Sequence, residues 1–309
     1  MKPSLLIILG PTASGKTSLA VPIAHALQGE IISADSRQVF KGMNIGTGKD
    51  LDEYVINGHK VPYYLIDHLE AGSRYQVDAF KEDFYKAYTD IVSRGNMPIL
   101  CGGTGMYIHS LLQNHFYTSI PVNTALRETL VLKTKEQLQA QLLTYPEAKR
   151  QHADLSTSKR LVRAIEIAEY LSHHTLLQVQ RPVLAPYVIG LTSSVETRRQ
   201  RIFDRLQYRL KHGLIEEVER LLQEGVSAEM LVFYGLEYKF AISYLHKEIS
   251  YDQLNELLFI AICQYAKRQM TFFRKMEKDG VKIHWHNIDE EEELAETIIS
   301  DYWNMTNFR

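Results

Sequence analysis

Residues Gly10-Pro11-Thr12-Ala13-Ser14-Gly15-Lys16-Thr17 match the pattern G-x-x-x-x-G-K-[ST] at every fixed position. Each residue type has a physical use there. Glycine lets the backbone turn so that successive N–H groups face one anion. A helix starting near Lys16 adds the positive end of its dipole. Lys16 supplies a charge to the outer phosphate, and the Thr17 hydroxyl is a ligand for Mg²⁺. A chance match in a chain of this length is expected about once in a hundred sequences, so a bare glycine turn is the weaker reading. The loop does not distinguish a triphosphate from a pyrophosphate ester.

Three more motifs follow apolar runs, where a parallel sheet presents ligands. In Asp35-Ser36-Arg37-Gln38, Asp35 suits a general base or a Mg²⁺ ligand, and the alternative is a turn or helix cap. Gly102-Gly103-Thr104-Gly105 allows close backbone approach with one hydroxyl in place, or is simply a tight turn. Asp67-His68 offers a metal-holding carboxylate, with His68 read as structural. Arg201, Arg205 and Arg209 fall at i, i+4 and i+8 on one helix face, facing either water or a phosphate. Two basic patches complete the set: Lys159-Arg160-Leu161-Val162-Arg163 with Arg127 upstream, and Tyr265–Lys275, which contains Lys267 and Arg268. Basic residues interleaved with aromatics suit single-stranded RNA, and a wet amphipathic helix is the alternative.

The elements that must position these residues alternate. Leu5–Leu9, Glu30–Ala34, Tyr63–Ile66, Pro98–Cys101, Tyr187–Leu191 and Val281–Trp285 read as strands. Helical spacing covers Ser18–Leu27, Val77–Ser93, Met106–Gln113, Val195–Glu224, Leu236–Leu245 and Tyr251–Lys278. Residues 41–62 read as a long loop. Strand, turn, helix, repeated, predicts a parallel α/β sheet. Residues 123–180 carry helical periodicity and no convincing strand. The expected organisation is therefore an α/β core of residues 1–117 and 186–285, a helical insert of residues 118–185, and an acidic tail of residues 286–309.

At 309 residues the chain is long enough to bury a core unaided. Hydrophobic residues make up 45% and charged residues 23%, which excludes a disordered chain. No apolar run approaches the roughly 18–20 residues that span a bilayer, and no signal peptide is evident. Two cysteines make neither a disulfide framework nor a Cys-rich zinc site, so a protein of the reducing cytoplasm is expected; the expected oligomeric state is a monomer. The net charge of −2 divides into +3 up to residue 280 and −5 beyond it.

Taken in order, the motifs resemble the tRNA dimethylallyltransferase (tRNA isopentenyltransferase) family. The resemblance runs over about residues 4–275. Gly10–Thr17, Asp35–Phe40, Met43–Lys49, Pro98–Tyr107, Lys159–Glu166, Gly213–Val218 and Ala266–Arg274 carry it. It implies a P-loop nucleotide-kinase-like core with an inserted tRNA-gripping helical domain. It also implies transfer of a dimethylallyl group from dimethylallyl diphosphate to the exocyclic amine of the adenosine next to the tRNA anticodon. On that resemblance Asp35 is the base, Gly10 to Thr17 hold the diphosphate, and Thr104 and Arg205 lie beside the reacting groups. Mg²⁺ is the expected cofactor, and no zinc is implied. The RNA contacts fall on Asp35, Ser36, Arg37, Gln38, Thr104, Arg127, Lys159, Arg160, Leu161, Val162, Arg163, Lys267 and Arg268.

The chain departs from the family pattern in places. The family has methionine at Arg37, tyrosine at Phe40 and glycine at Glu237, and Gly-Thr-Ala-Lys-Pro where this chain has Gly46-Thr47-Gly48-Lys49-Asp50. The rival readings are a P-loop small-molecule or nucleotide kinase using ATP, prenyl transfer to free adenine nucleotides, and a non-catalytic RNA-binding module.

Overall fold

A computed structural model describes residues 4–113, 116–176, 179–291 and 293–307. In chain order the first half runs β1 (Leu5–Leu9), α1 (Lys16–Ala26), β2 (Gly29–Ser33), β3 (Val55–Ile56), β4 (His59–Lys60), β5 (Tyr63–Tyr64), α2 (Val77–Ser93), β6 (Met97–Gly102) and α3 (Gly105–Leu112). Next come α4 (Thr124–Leu130), α5 (Lys135–Leu143), α6 (Glu147–Arg150) and α7 (Ser158–His173). The chain then returns through β7 (Pro186–Thr192), α8 (Val195–Lys211), α9 (Leu214–Gln223), α10 (Ala228–Tyr234), α11 (Leu236–Leu245), α12 (Tyr251–Lys278), β8 (His284–Asn287) and α13 (Leu294–Asn307).

Six strands form one parallel sheet in the order β5-β2-β6-β1-β7-β8. All five β1 residues are fully buried because the sheet is covered on both faces. Strand alternation divides them. Leu6 and Ile8 pack with α1 and with Leu294, Ile298 and Tyr302 of α13. Leu5, Ile7 and Leu9 pack with Phe80 and Phe84 of α2, Ile108 of α3 and Phe273 of α12. The loops after β1, β2 and β6 leave the same end of three adjacent strands, which brings their motifs together.

Backbone contacts divide the chain into two compact units, Met1–Gln113 with Pro182–Arg309, and Asn114–Arg181. The second contains α4 to α7 around its own core of Leu130, Leu138, Leu142, Leu161, Ala164, Ile165 and Ala168. Within the stretch read from sequence as an acidic tail, residues 286–309, the end of β8 and α13 (Leu294–Asn307) join the first unit. Three apolar residues at helical spacing outweigh the acidic run that precedes them.

Other elements differ from the sequence reading. Val195–Glu224 is two helices, broken at Gly213, whose φ of 103° no helix interior accepts. The loop of residues 41–62 holds the hairpin β3–β4, turned by Asn57-Gly58 with φ of 50° and 76°. That dipeptide is a hairpin signal the composition of the loop obscured. The strand read at Tyr63–Ile66 stops after two residues because Leu65 and Asp67 have positive φ. The last strand lies three residues later than Val281, since Val281 and Ile283 pack in the core ahead of it. Helix α10 carries no clear periodic signal in the sequence.

Candidate active site

The Gly10–Thr17 segment links β1 to α1. Gly15 caps α1 with φ of 74° and makes no side-chain cap, and the first turn holds no acidic residue. The first N–H groups of α1 thus have no side-chain acceptor, as is also true of α2, α3, α9 and α11, but those of α1 open on a cleft, where an anion can take them.

A cleft of about 650 Å³ opens at this point. Residues Thr12 to Thr17 line it, together with Asp35, Arg37, Gln38, Gly48, Arg205 and Arg209. Lys16 Nζ donates to the Pro11 carbonyl of its own loop at 2.7 Å. Burial is the main influence on this amine and Arg205 adds to it, lowering its pKa to about 8. The negative charge of an arriving diphosphate would offset both effects. Cys101 lies in the same wall, and burial pushes its thiol up to about 12, so it is inert as a nucleophile.

Asp35 follows β2 and faces the cleft. Its Oδ1 accepts the N–H of Arg37 at 2.9 Å and of Gln38 at 3.4 Å. One carboxylate oxygen thus holds the turn. Thr104, at the start of α3, accepts the Ser36 N–H at 3.1 Å while its own N–H donates to the Ala34 carbonyl at 3.0 Å. The second and third motifs are therefore bonded to each other. Thr104 is not among the residues lining the cleft, so its visible role is to position the Asp35 turn.

Gln38 is bonded on both sides of its amide. Its Oε1 accepts from Ser33 Oγ at 3.1 Å, and its Nε2 donates to the Gly48 carbonyl at 3.0 Å. Arg37 is held by the Tyr234 carbonyl and lies 5.4 Å over the Tyr265 ring. Arg268 approaches the same ring at 5.9 Å. Lys267 and Arg268 are exposed on α12. All three members of the arginine row, Arg201, Arg205 and Arg209, line the cleft. Arg205 donates to Asp50 Oδ2 at 3.1 Å and to the Gly48 carbonyl at 3.3 Å.

Asp67 pairs with Lys49, whose side chain is 1% exposed and also donates to the Phe40 carbonyl and Asn44 Oδ1. A buried ammonium needs that carboxylate more than the cleft does. His68 is about half exposed and lies 3.5 Å from Asp83.

Sequence reasoning missed two organising residues. Glu217 of α9 accepts the N–H groups of Asn44, Ile45 and Gly46 and the Tyr238 hydroxyl, fixing the loop that carries Gly48. Gln269 of α12 bonds both Thr12 and Gly103. Each is a polar residue on the buried face of an amphipathic helix, the signal that could have found it.

In the second unit the basic patch divides. Leu161 is fully buried and Val162 packs against the same core, which corrects their expected place among the RNA contacts. Arg127 makes a two-pronged pair with buried Glu166 at 2.7 and 2.8 Å. Arg163 donates to the Tyr117 and Ile120 carbonyls. Lys159 and Arg160 are exposed, Arg160 pairing with Asp154 at 2.7 Å.

The IPP transferase family model matches residues 38–276. The chain belongs to the IPP transferase family. A tRNA dimethylallyltransferase 2 of Porphyromonas gingivalis is 47% identical over 281 residues, covering 91% of this chain and 93% of the relative. A solved tRNA isopentenylpyrophosphate transferase of Staphylococcus epidermidis is 32% identical, covers 99% of both chains and superposes with a TM-score of 0.68. A eukaryotic dimethylallyltransferase solved acting on tRNA shares the fold at 21% identity and a TM-score of 0.75, covering 98% of this chain and 79% of that one. Among the described residues no helix is long and apolar enough to cross a membrane.

Proposed function

We propose that this family member transfers a dimethylallyl group from dimethylallyl diphosphate to the exocyclic amine of the adenosine adjacent to the anticodon of tRNA, in the cytoplasm. The observation that carries the reading is the bonded pairing of the Asp35 and Thr104 turns beside the Lys16 loop, in a chain of this family. In the reaction the amine nitrogen forms a bond to the allylic carbon, whose bond to oxygen breaks. Diphosphate leaves with the electron pair, and the amine proton passes to Asp35.

The chain's residues divide this work. Uncapped N–H groups of α1, Lys16 and Arg205 face the charge that grows on the leaving group. Arg205 reaches it by exchanging its contact with Asp50 for the diphosphate. Asp35 keeps Oδ1 in the turn and offers its other oxygen to the proton. Thr104 holds the turn that aims Asp35. The base must leave its stack to enter the cleft, where Tyr265 is an aromatic residue in the lining with Asp35. Lys159, Arg160, Lys267 and Arg268 are the proposed RNA contacts, being exposed cations.

Mg²⁺ suits the donor set. Thr17, Asp35 and Glu53 bring hard oxygens to one cleft, and Mg²⁺ takes few protein ligands when phosphate oxygens and water complete its shell. Thr17 would hold it, and when bound it neutralises charge on the diphosphate. The test is mass spectrometry of tRNA nucleosides after incubation with dimethylallyl diphosphate, with ATP as the parallel donor. A mass gain of one dimethylallyl group on adenosine supports the reading. Phosphoryl transfer from ATP with no alkylated adenosine would replace it with the kinase.

A further inference from the structure

Arg209 is 9% exposed and lines the cleft of the Lys16 loop. Its Nη2 is fully buried and has no hydrogen-bond partner. Its nearest carboxylate, Glu237 Oε1, lies 3.8 Å from Nη1, well beyond the length of a charge-assisted hydrogen bond. A guanidinium N–H withdrawn from water and left unpaired is unfavourable, and a group of this kind calls for a water, an ion or a ligand to complete it.

The surroundings are cut to admit this side chain. A Cβ on Gly48 would overlap Nη2 of both Arg209 and Arg205, so the loop is stripped to backbone where the two guanidiniums meet. Asp50 balances Arg205 and Glu237 balances Arg209. Gly48, Asp50 and Glu237 form one linked set around the two arginines. Burial and Arg205 lower the pKa of Arg209 to about 10, which leaves it charged at neutral pH.

We infer that Arg209 is a further phosphate-binding residue of this cleft, its unpaired Nη2 taking an oxygen of the donor's diphosphate. The inference rests on the donor reading above. Glu237 acts as the counter-ion that holds the guanidinium in place while the cleft is empty. It leaves Nη2 to the ligand.

The test is calorimetric titration of the whole protein with inorganic pyrophosphate and MgCl₂. Arg209→Gln alone would strand Glu237, so the double variant Arg209→Gln with Glu237→Gln is measured beside it. The double variant is expected to bind pyrophosphate about ten- to a hundredfold more weakly, the scale of one charged hydrogen bond. Arg209→Lys should restore part of the loss. Glu237→Gln alone should bind at least as tightly as the wild type, because a competing anion is gone, whereas a merely structural pair would lose affinity. Unchanged pyrophosphate binding in the double variant, with loss in Lys16→Ala, overturns the role of Arg209 and leaves the donor reading standing. Unchanged pyrophosphate binding with weakened tRNA binding also overturns it, by moving Arg209 to an RNA phosphate. If the wild type takes up no pyrophosphate, the donor reading itself fails.

Discussion

Gln269 and Thr12 are 257 residues apart in the chain, yet the Thr12 N–H donates to Gln269 Oε1 at 2.8 Å. The same amide donates through Nε2 to the Gly103 carbonyl at 2.9 Å. One side chain from α12 thus ties the phosphate loop to the turn after β6. It also withdraws the Thr12 N–H from the set available to an anion, leaving the groups from Ala13 onward.

Replacing Gln269 by leucine keeps its bulk and strands a buried donor and a buried acceptor. A loss of about 2–4 kcal/mol in folding stability is expected from urea denaturation, near 1–2 for each stranded group. Pyrophosphate affinity should fall as well, because the loop loses its brace. Wild-type stability in this variant would show that solvent or backbone rearrangement satisfies both groups.

The lowered pKa of Lys16 predicts a pH dependence. The free protein loses this proton above about pH 8, and diphosphate prefers the charged amine. Pyrophosphate affinity should therefore fall as pH rises through 8, by up to about tenfold per unit, while Lys16→Ala binds weakly with a flatter profile. Stability moves the other way. Between pH 8 and the ordinary lysine value of 10.5 the unfolded chain binds more protons than the folded one, so raising the pH stabilises the empty protein. Lys16→Met should accordingly melt above the wild type at pH 7, with the gap closing from pH 8 upward. A constant gap across that range refutes the buried charge as its source.

Asp35→Asn keeps an oxygen able to accept the Arg37 and Gln38 N–H groups, so the turn should persist. Lost proton acceptance should lower the single-turnover rate roughly 10²–10⁴-fold. Binding of tRNA and donor should change far less. The deciding measurement is a Mg²⁺ titration of the variant. A rate that stays low at saturating Mg²⁺ supports the base, and recovery at high Mg²⁺ reassigns Asp35 to the metal.

Neutralising Lys159 and Arg160 should weaken tRNA binding and reduce its log–log salt slope by about one for each RNA phosphate that is no longer neutralised. Arg127→Ala should behave differently. It leaves the fully buried Glu166 carboxylate without its two-pronged partner, and about 1–3 kcal/mol of stability should go with it. Equal salt slopes in the Lys159, Arg160 variant and the wild type would reduce that patch to a wet helix face.

Local chemistry made much of this protein legible from its residues alone. The phosphate loop is a contiguous eight-residue pattern whose glycine, lysine and threonine each have one physical use, so its place between a strand and a helix followed directly. The length of Leu5–Leu9 suited a buried parallel strand, and the change to helical periodicity from Asn123 marked a second unit. Other features depended on groups remote in sequence. Gly213 breaks a helix that periodicity alone carries through, because the pattern of apolar residues does not register one left-handed backbone angle. Residues 286–309 look like solvent-facing charge until Ile298 and Tyr302 find α1. Arg127 and Arg163 look like free surface cations until the fold sets Glu166 between them. Gln269 is an ordinary polar residue in the sequence, and Arg209 is one of a row that could face either water or a phosphate. Only tertiary packing decided that the first would brace two loops and that the second would be buried with an unsatisfied nitrogen in the cleft, because the energy of a buried polar group is set by partners that the chain brings from far away.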